Sequence, residues 1–153
     1  MKFSGELTVP APREAVFDRL RDAPFFASCV EGVGQLNETA PDHYAARFAT
    51  RIAYIRFEFE LTVEVVRAER PLIIEARIEG KPHGVVGRLS GVSAARFDET
   101  EGGTKVSYNI EATLTGRLGS IGQPVLNSKA KEMEKQFVAN LRRAFPGSGD
   151  QAA

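Results

Sequence analysis

The sequence contains few of the cysteine and histidine residues that form disulfide bonds or bind structural metal ions. Its single cysteine, Cys29, has no partner within the chain, so a disulfide-stabilised scaffold is excluded. The only two histidines, His43 and His83, are far apart in sequence. Together with one cysteine they cannot supply the four nitrogen and sulfur ligands of a structural zinc site. We therefore expect neither a bound metal nor another cofactor.

An excess of charge and long hydrophobic runs are also missing. The 20 lysine and arginine residues balance 20 aspartate and glutamate residues, so the chain lacks the basic field expected of a nucleic-acid-binding protein. No apolar run is long enough for a transmembrane helix. Residues 1–6 carry charge where a signal peptide needs an apolar stretch, so we expect a cytoplasmic protein that does not bind nucleic acid.

The length and composition are those of one folded domain. A chain of 153 residues that is 42% hydrophobic has enough apolar side chains for one sizeable core. We predict that residues 1–145 form this domain. Residues 146–153 are rich in glycine and small residues and are predicted to form a flexible tail.

Hydrophobic periodicity divides the chain into strands and helices. Residues 2–9 alternate between apolar and polar side chains, which predicts a half-buried first strand. Pro12 suits a first helical turn, and the following apolar spacing predicts short helices over residues 13–21 and around residues 25–30. From about residue 34 to residue 117 sustained alternation predicts a series of antiparallel strands.

The alternation also predicts which strand residues face the core. Between residues 55 and 65 the odd-numbered residues are apolar and the even-numbered ones are polar or charged, so the odd face, beginning with Ile55, is predicted to be buried. The same parity places Leu72 and Ile74 inward. After Pro124 the apolar period becomes helical for about 20 residues, which predicts a long C-terminal helix packed on the apolar face of the sheet.

The inward-facing set contains the candidate site. These residues either pack as a solid core or line a cavity for an apolar ligand, and periodicity does not separate the two. The candidate ligand-binding residues are Phe48, Phe57, Phe59, Leu61, Ile74, Leu89, Tyr108, Ile110, Met133 and Phe137. Tyr108 is of special interest because an inward phenol needs a hydrogen-bond partner and can anchor the polar end of a ligand.

Residues suited to acid–base catalysis are scarce at these inward positions. No charged residue falls on an inward strand position, which argues against an enzyme that uses carboxylate or histidine chemistry. His83 lies in a loop at the expected cavity mouth. Cys29 lies among Phe26 and Val30 and is interpreted as a buried thiol.

Several segments resemble one known family over nearly the whole chain. They are residues 3–6 (FSGE), 9–17 (VPAPREAVF), 29–33 (CVEGV), 102–108 (GGTKVSY), 116–122 (GRLGSIG) and 133–141 (MEKQFVANL). On these the sequence is similar to the CoxG family, named for the G-subunit of carbon monoxide dehydrogenase, in the START-like (SRPBCC) helix-grip superfamily. Glu31 stands where that family usually has a proline.

The resemblance implies an α+β helix-grip fold, in which a curved antiparallel sheet of about seven strands wraps around a long C-terminal helix in the order β-α-α-β6-α. It also implies a hydrophobic cavity that binds a quinone-like small molecule or lipid. The implied role is that of a non-catalytic accessory or recruitment subunit. Its implied partner is a CO-dehydrogenase-type molybdenum hydroxylase, and it would make a peripheral contact at the inner face of the membrane. The alternatives are an enzyme of the superfamily, such as a polyketide cyclase, and an interaction subunit with a solid core.

Overall fold

The computed structural model describes residues 1–145, and the predicted tail at 146–153 lies outside the described residues. Over residues 1–145 the chain forms seven strands, three α-helices and one short 3-10 helix. The elements are β1 (Lys2–Val9), α1 (Arg13–Arg21), α2 (Ala23–Cys29), β2 (Val33–Ala40), β3 (His43–Ile52), β4 (Ile55–Glu69), β5 (Ile73–Pro82), β6 (Gly87–Thr100), β7 (Gly103–Gly116), the 3-10 helix (Arg117–Ser120) and α3 (Gln123–Ala144). No helix within these residues is both long and apolar enough to cross a membrane.

The seven strands form one curved antiparallel sheet in the order β1-β7-β6-β5-β4-β3-β2. Strands β2 to β7 follow one another as hairpins, whereas β1 pairs with β7 from the far end of the sequence. The outer strand β2 is irregular, with two register shifts along its pairing with β3. This architecture, with the long helix α3 after the last strand, confirms the predicted helix-grip fold.

Within the strands, burial follows the predicted alternation. In β4 Phe57 and Phe59 are buried, while Glu58 and Glu60 between them are exposed. The prediction is wrong at two strand ends, because Ile55 is 57% exposed and Leu72 is 47% exposed. Both residues lie next to a turn. At such positions neither a helix nor a neighbouring strand packs over the side chain.

Helices α1 and α2 close one end of the curved sheet. Asp22 ends α1 and caps α2, where its carboxylate accepts a hydrogen bond from the Phe25 amide at 3.2 Å. Phe17 of α1 packs edge-to-face on Phe97 of β6 with ring centroids 5.2 Å apart. These contacts belong to the Phe97 cluster, whose buried members are Leu7, Val9, Val16, Phe17, Phe97, Val106 and Leu141.

Helix α3 is attached to the sheet at its two ends. Its C-terminal part packs into the Phe97 cluster through Phe137, Val138 and Leu141. Its N-terminal part, through Val125 and Leu126, packs against a second group, the Phe57 cluster, whose buried members are Ile52, Phe57, Phe59 and Leu118. The core is therefore divided into two clusters, one under each end of the long helix.

Candidate functional site

The ten candidate residues are distributed over both clusters and the space between them. Ile74, Tyr108 and Phe137 pack on the Phe97 cluster. Phe48, Phe57, Phe59, Leu61 and Leu89 belong to or pack on the Phe57 cluster. Ile110 and Met133 are part of neither cluster, although one is inward on β7 and the other lies midway along α3.

The middle of the inward, concave face is built mostly from small side chains. Two rows of paired residues cross β5, β6 and β7 there: Ala76, Ser93 and Ile110 in one row, and Ile78, Gly91 and Ala112 in the next. We call these six residues the central patch. Four of the six have a side chain no larger than that of serine, so this part of the sheet presents little volume toward α3.

The central patch is less buried than the clusters on either side of it. All six residues are only half-buried. Phe97 of β6 and Val106 of β7 also point inward, and they are only 1% and 3% exposed. Solvent on the open convex face of the sheet therefore does not reach inward side chains. The exposure of Ile110 and Ile78 therefore indicates space between the centre of the sheet and α3.

A recess of about 230 Å³ leads from the protein surface to this region. Met1 and Ala112 exchange two backbone hydrogen bonds of 2.8 Å, and residues 113–116 of β7 have no partner in β1. The recess is lined by Met1, Ala112, Thr113, Leu114, Gly119, Gly122, Gln123 and Leu126. Because Ala112 also belongs to the central patch, the recess adjoins the patch, although none of the ten candidate residues lines it.

Two polar groups meet at the β1 side of the concave face. Gly5 lies opposite Tyr108 in the sheet. A β-carbon built at Gly5 would lie 2.5 Å from both the Tyr108 hydroxyl oxygen and the Glu134 Oε2 atom. The absence of a side chain at Gly5 therefore lets a phenol and a carboxylate converge at one point. The apolar spacing of α3 does not indicate this approach of Glu134, because helical spacing does not show how far a long side chain reaches.

The remaining titratable candidates lie away from the central patch. His83 is half-exposed and its Nε2 is 3.5 Å from Glu60 Oε1, an outward residue of β4. The Cys29 side chain is 2% exposed, and burial raises the pKa of its thiol. Within residues 1–145, no three histidine, cysteine, aspartate or glutamate side chains are grouped so that they could hold a metal ion.

A second, more open groove of about 360 Å³ lies at the opposite end of the sheet, between the β1–α1 connection and the β6–β7 hairpin. Charged side chains line it, among them Arg13 and Glu99, which approach to 3.5 Å. The recess beside α3, by contrast, is narrower and has no charged side chain in its lining. The central patch with its recess is therefore the better candidate for a ligand site.

Comparison with known families assigns the chain. The profile of the carbon monoxide dehydrogenase G-subunit (CoxG) family matches residues 5–145. The chain belongs to the CoxG family. Among curated proteins, none matches the sequence at a significant level.

Solved structures of the same fold support this family's placement among helix-grip proteins. A conserved protein from Geobacillus kaustophilus is 20% identical, with 95% of each chain covered and a TM-score of 0.86. The ZhuI aromatase/cyclase from Streptomyces is 12% identical, with 94% of this chain and 92% of that chain covered and a TM-score of 0.68. The di-domain aromatase/cyclase BexL is 16% identical, with 95% of this chain and 50% of that chain covered and a TM-score of 0.60. At these identities the similarity establishes the CoxG chain's fold.

Proposed function

We propose that this CoxG-family protein binds an apolar, quinone-like small molecule or lipid between the concave face of its sheet and α3. One observation carries the proposal: the central patch lies on the concave face between the two clusters that α3 contacts, yet all six of its residues are only half-buried, whereas each cluster contains fully buried side chains. Natural cores are packed without large voids, so retained space in the centre of a domain favours a ligand site over a solid core.

The shape of this space suits a flat or chain-like molecule with one polar end. The small residues of the central patch leave room over three strands. We expect Met133, midway along α3, to supply a flexible apolar wall opposite them. Tyr108 and Glu134 provide polar atoms at the β1 side. A carbonyl or hydroxyl at the end of the ligand would accept or donate a hydrogen bond there, while the rest of the molecule contacts apolar side chains.

The test is ligand-induced stabilisation of the purified protein. Short-chain quinones, isoprenoids and fatty acids are added separately, and thermal unfolding is followed. A ligand at 100 times its dissociation constant adds about 2.7 kcal/mol to the stability, which raises the Tm of a domain of this size by roughly 5–10 °C. No shift with any of these classes, and no co-purified lipid in an organic extract, would contradict the proposal.

The proposed partner is a CO-dehydrogenase-type molybdenum enzyme. The protein would deliver the ligand to this enzyme or receive the ligand from it. The family name denotes a component of carbon monoxide dehydrogenase and supports an accessory, non-catalytic role. Titrating the purified molybdenum enzyme with this protein, with and without the quinone that stabilises it, tests the association. Binding strengthened by the quinone is expected, whereas no binding in either state would separate this chain from such an enzyme.

A second candidate function is catalysis of the aromatase/cyclase type, favoured by the convergence of Tyr108 and Glu134 over Gly5. A phenol next to a carboxylate can relay a proton to a carbonyl compound in the cavity. Turnover of a polyketide-like substrate that Tyr108→Phe and Glu134→Gln abolish, without loss of ligand-induced stabilisation, would favour this function over simple binding.

A further inference from the structure

The first strand extends the central patch toward the edge of the sheet. Phe3 lies opposite Ile110 and therefore continues the row of paired residues that crosses β7, β6 and β5. The inward residues on either side of Phe3 are Met1, which lines the recess, and Gly5, which has no side chain. Successive inward residues of a strand are about 7 Å apart, so Met1 and Gly5 are separated by about 13 Å. A molecule that enters through the recess and follows β1 would meet Phe3 before Gly5.

Phe3 is an aromatic side chain without an aromatic partner. It is half-buried, and it belongs to neither the Phe97 cluster nor the Phe57 cluster. Farther along the same face of β1, Leu7 and Val9 are buried in the Phe97 cluster. Among the described residues, no other aromatic ring pairs with that of Phe3. The Phe3 ring is therefore available to stack on a flat aromatic ligand.

Gly5 leaves a space that two polar groups border. The Tyr108 hydroxyl oxygen and Glu134 Oε2 would both lie 2.5 Å from a β-carbon at Gly5. Among the described residues, neither of these groups forms a hydrogen bond or an ion pair, although Glu132 on the same helix pairs with Lys129 at 2.9 Å. Both groups are therefore available to bind one polar atom of a ligand.

The two groups differ in the hydrogen bonds that they can form. A carboxylate only accepts hydrogen bonds, whereas a phenol both donates and accepts them. A ligand hydroxyl can donate to Glu134 and accept from Tyr108, so that both groups are satisfied. A ligand carbonyl can accept from Tyr108, but its oxygen then lies beside a carboxylate oxygen with no proton between them. Because a hydrogen bond to a charged acceptor is stronger than a neutral one, this pair of groups favours the hydroxyl.

We propose that Phe3, Tyr108 and Glu134 form a head-group site for an aromatic alcohol, which is a phenol or the reduced, hydroquinone form of a quinone, in preference to the oxidised quinone. The aromatic ring stacks on Phe3, one hydroxyl occupies the space over Gly5, and the rest of the molecule lies on the central patch. This inference rests on the proposed function, which it narrows from a quinone-like molecule to a hydroxyl-bearing one. Glu134 determines the preference for the hydroxyl, and Phe3 determines the preference for a ring.

Calorimetric binding of matched ring compounds to the full chain tests the proposal. Naphthol is compared with methoxynaphthalene, which keeps the ring and the oxygen but cannot donate a hydrogen bond, and with menadione, whose oxygens only accept. We expect naphthol to bind about tenfold more tightly than either compound, which is less than the discrimination of a fully buried hydroxyl site because Glu134 is exposed. Menadiol, kept reduced, should likewise bind more tightly than menadione.

Glu134→Gln is the decisive variant. An amide donates as well as accepts, so the affinities for naphthol and methoxynaphthalene should become nearly equal. Glu132→Gln is the matched control, because it removes the same charge from the same helix, and it should keep the preference of the wild type. Both side chains are exposed, so neither substitution should change the Tm by more than about 2 °C.

Phe3→Leu tests the contact with the ring. Leucine keeps an apolar side chain but removes the aromatic one, so all the ring compounds should bind about fivefold more weakly while the preference for naphthol stays unchanged. Equal affinities of the wild type for naphthol and methoxynaphthalene, or an unchanged preference in Glu134→Gln, would overturn the proposal. Failure of every ring compound to bind would also overturn it. In that case stabilisation by isoprenoids or fatty acids decides separately whether the proposed binding of an apolar molecule stands.

Discussion

Gly5 is the residue whose small size matters most for the candidate site. In Gly5→Ala the new methyl group would collide with the Tyr108 hydroxyl and the Glu134 carboxylate, each 2.5 Å away. Glu134 can move aside, but the tyrosine ring is held in the sheet, so we expect a loss of about 1–3 kcal/mol in the free energy of unfolding. Chemical denaturation measures it.

Gly34→Ala is the matched control for this substitution. Gly34 also lies in a strand, and a β-carbon there would meet nothing within 4 Å. Its replacement should be neutral or should stabilise the protein by about 0.4–1 kcal/mol, because alanine restricts the unfolded chain. If both variants behave alike, Tyr108 and Glu134 do not approach Gly5 in solution.

Cys29 offers a second test at the residue scale. Its side chain is buried at the end of α2, and the Asn140 amide of α3 donates a hydrogen bond to the Cys29 carbonyl at 3.0 Å. Burial raises the pKa of the thiol, so little thiolate is present at neutral pH. The native protein should react with a thiol reagent far more slowly than the protein in denaturant. Similar rates in both would show that α2 does not cover Cys29.

At the scale of elements, helix α1 is fastened to the β4–β5 turn by one ion pair. Arg70 donates two hydrogen bonds to the Asp18 carboxylate, at 2.8 and 3.0 Å. The hydrogen bonds from Arg70 hold the pKa of Asp18 below its ordinary value of 3.8. A lowered pKa means that the folded state favours the carboxylate. The Asp18–Arg70 pair therefore stabilises the fold at pH values above the ordinary pKa of Asp18. This stabilisation is lost as the pH falls through the lowered pKa of the folded state.

Asp18→Asn should accordingly lower the Tm at neutral pH, and its difference from the wild type should shrink below about pH 4 as Asp18 becomes protonated. High salt should reduce the difference as well, since both side chains are half-exposed. Glu79→Gln is the control, because Glu79 lies opposite the uncharged residues Thr62 and Ser90 in the sheet and forms no ion pair within residues 1–145. A Tm difference that does not depend on pH would contradict a role for the charge.

Strand interiors were predictable from the sequence, whereas strand ends and loops were not. Phe57 and Phe59 alternate with charged residues. When one face of a strand is buried, only one orientation of the strand places such apolar residues in the core. Ile55 and Leu72 follow the same alternation but are exposed because they lie at turns. There the direction of the chain, and not the odd or even position of a residue, determines whether its side chain is buried.

At the scale of the whole molecule, the main test is whether the central patch and α3 enclose a cavity. Ile110→Trp adds volume to the central patch. If the patch borders a cavity, the free energy of unfolding should be unchanged and the stabilisation by added quinone should be lost. Val106→Trp, on the same strand and face but within the packed Phe97 cluster, should lose about 1–3 kcal/mol by overpacking.

Equal destabilisation by the two tryptophan variants would show a solid core. Combined with no ligand response in the wild type, that result would favour the interaction-subunit alternative. The ten candidate residues remain predictions until this comparison is made, because the recess next to the patch is lined by other side chains.

The pairing of β1 with β7 has a consequence for how the chain is made. Val9 leaves the ribosome first but pairs with Thr104, about 100 residues later. At 5–20 residues per second, β1 and α1 wait roughly 5–20 s for their partner strand, with Val16 and Phe17 uncovered. Nascent chains that end before residue 103 should therefore remain sensitive to protease and bind chaperones, and protection should arise abruptly once β7 and α3 have emerged.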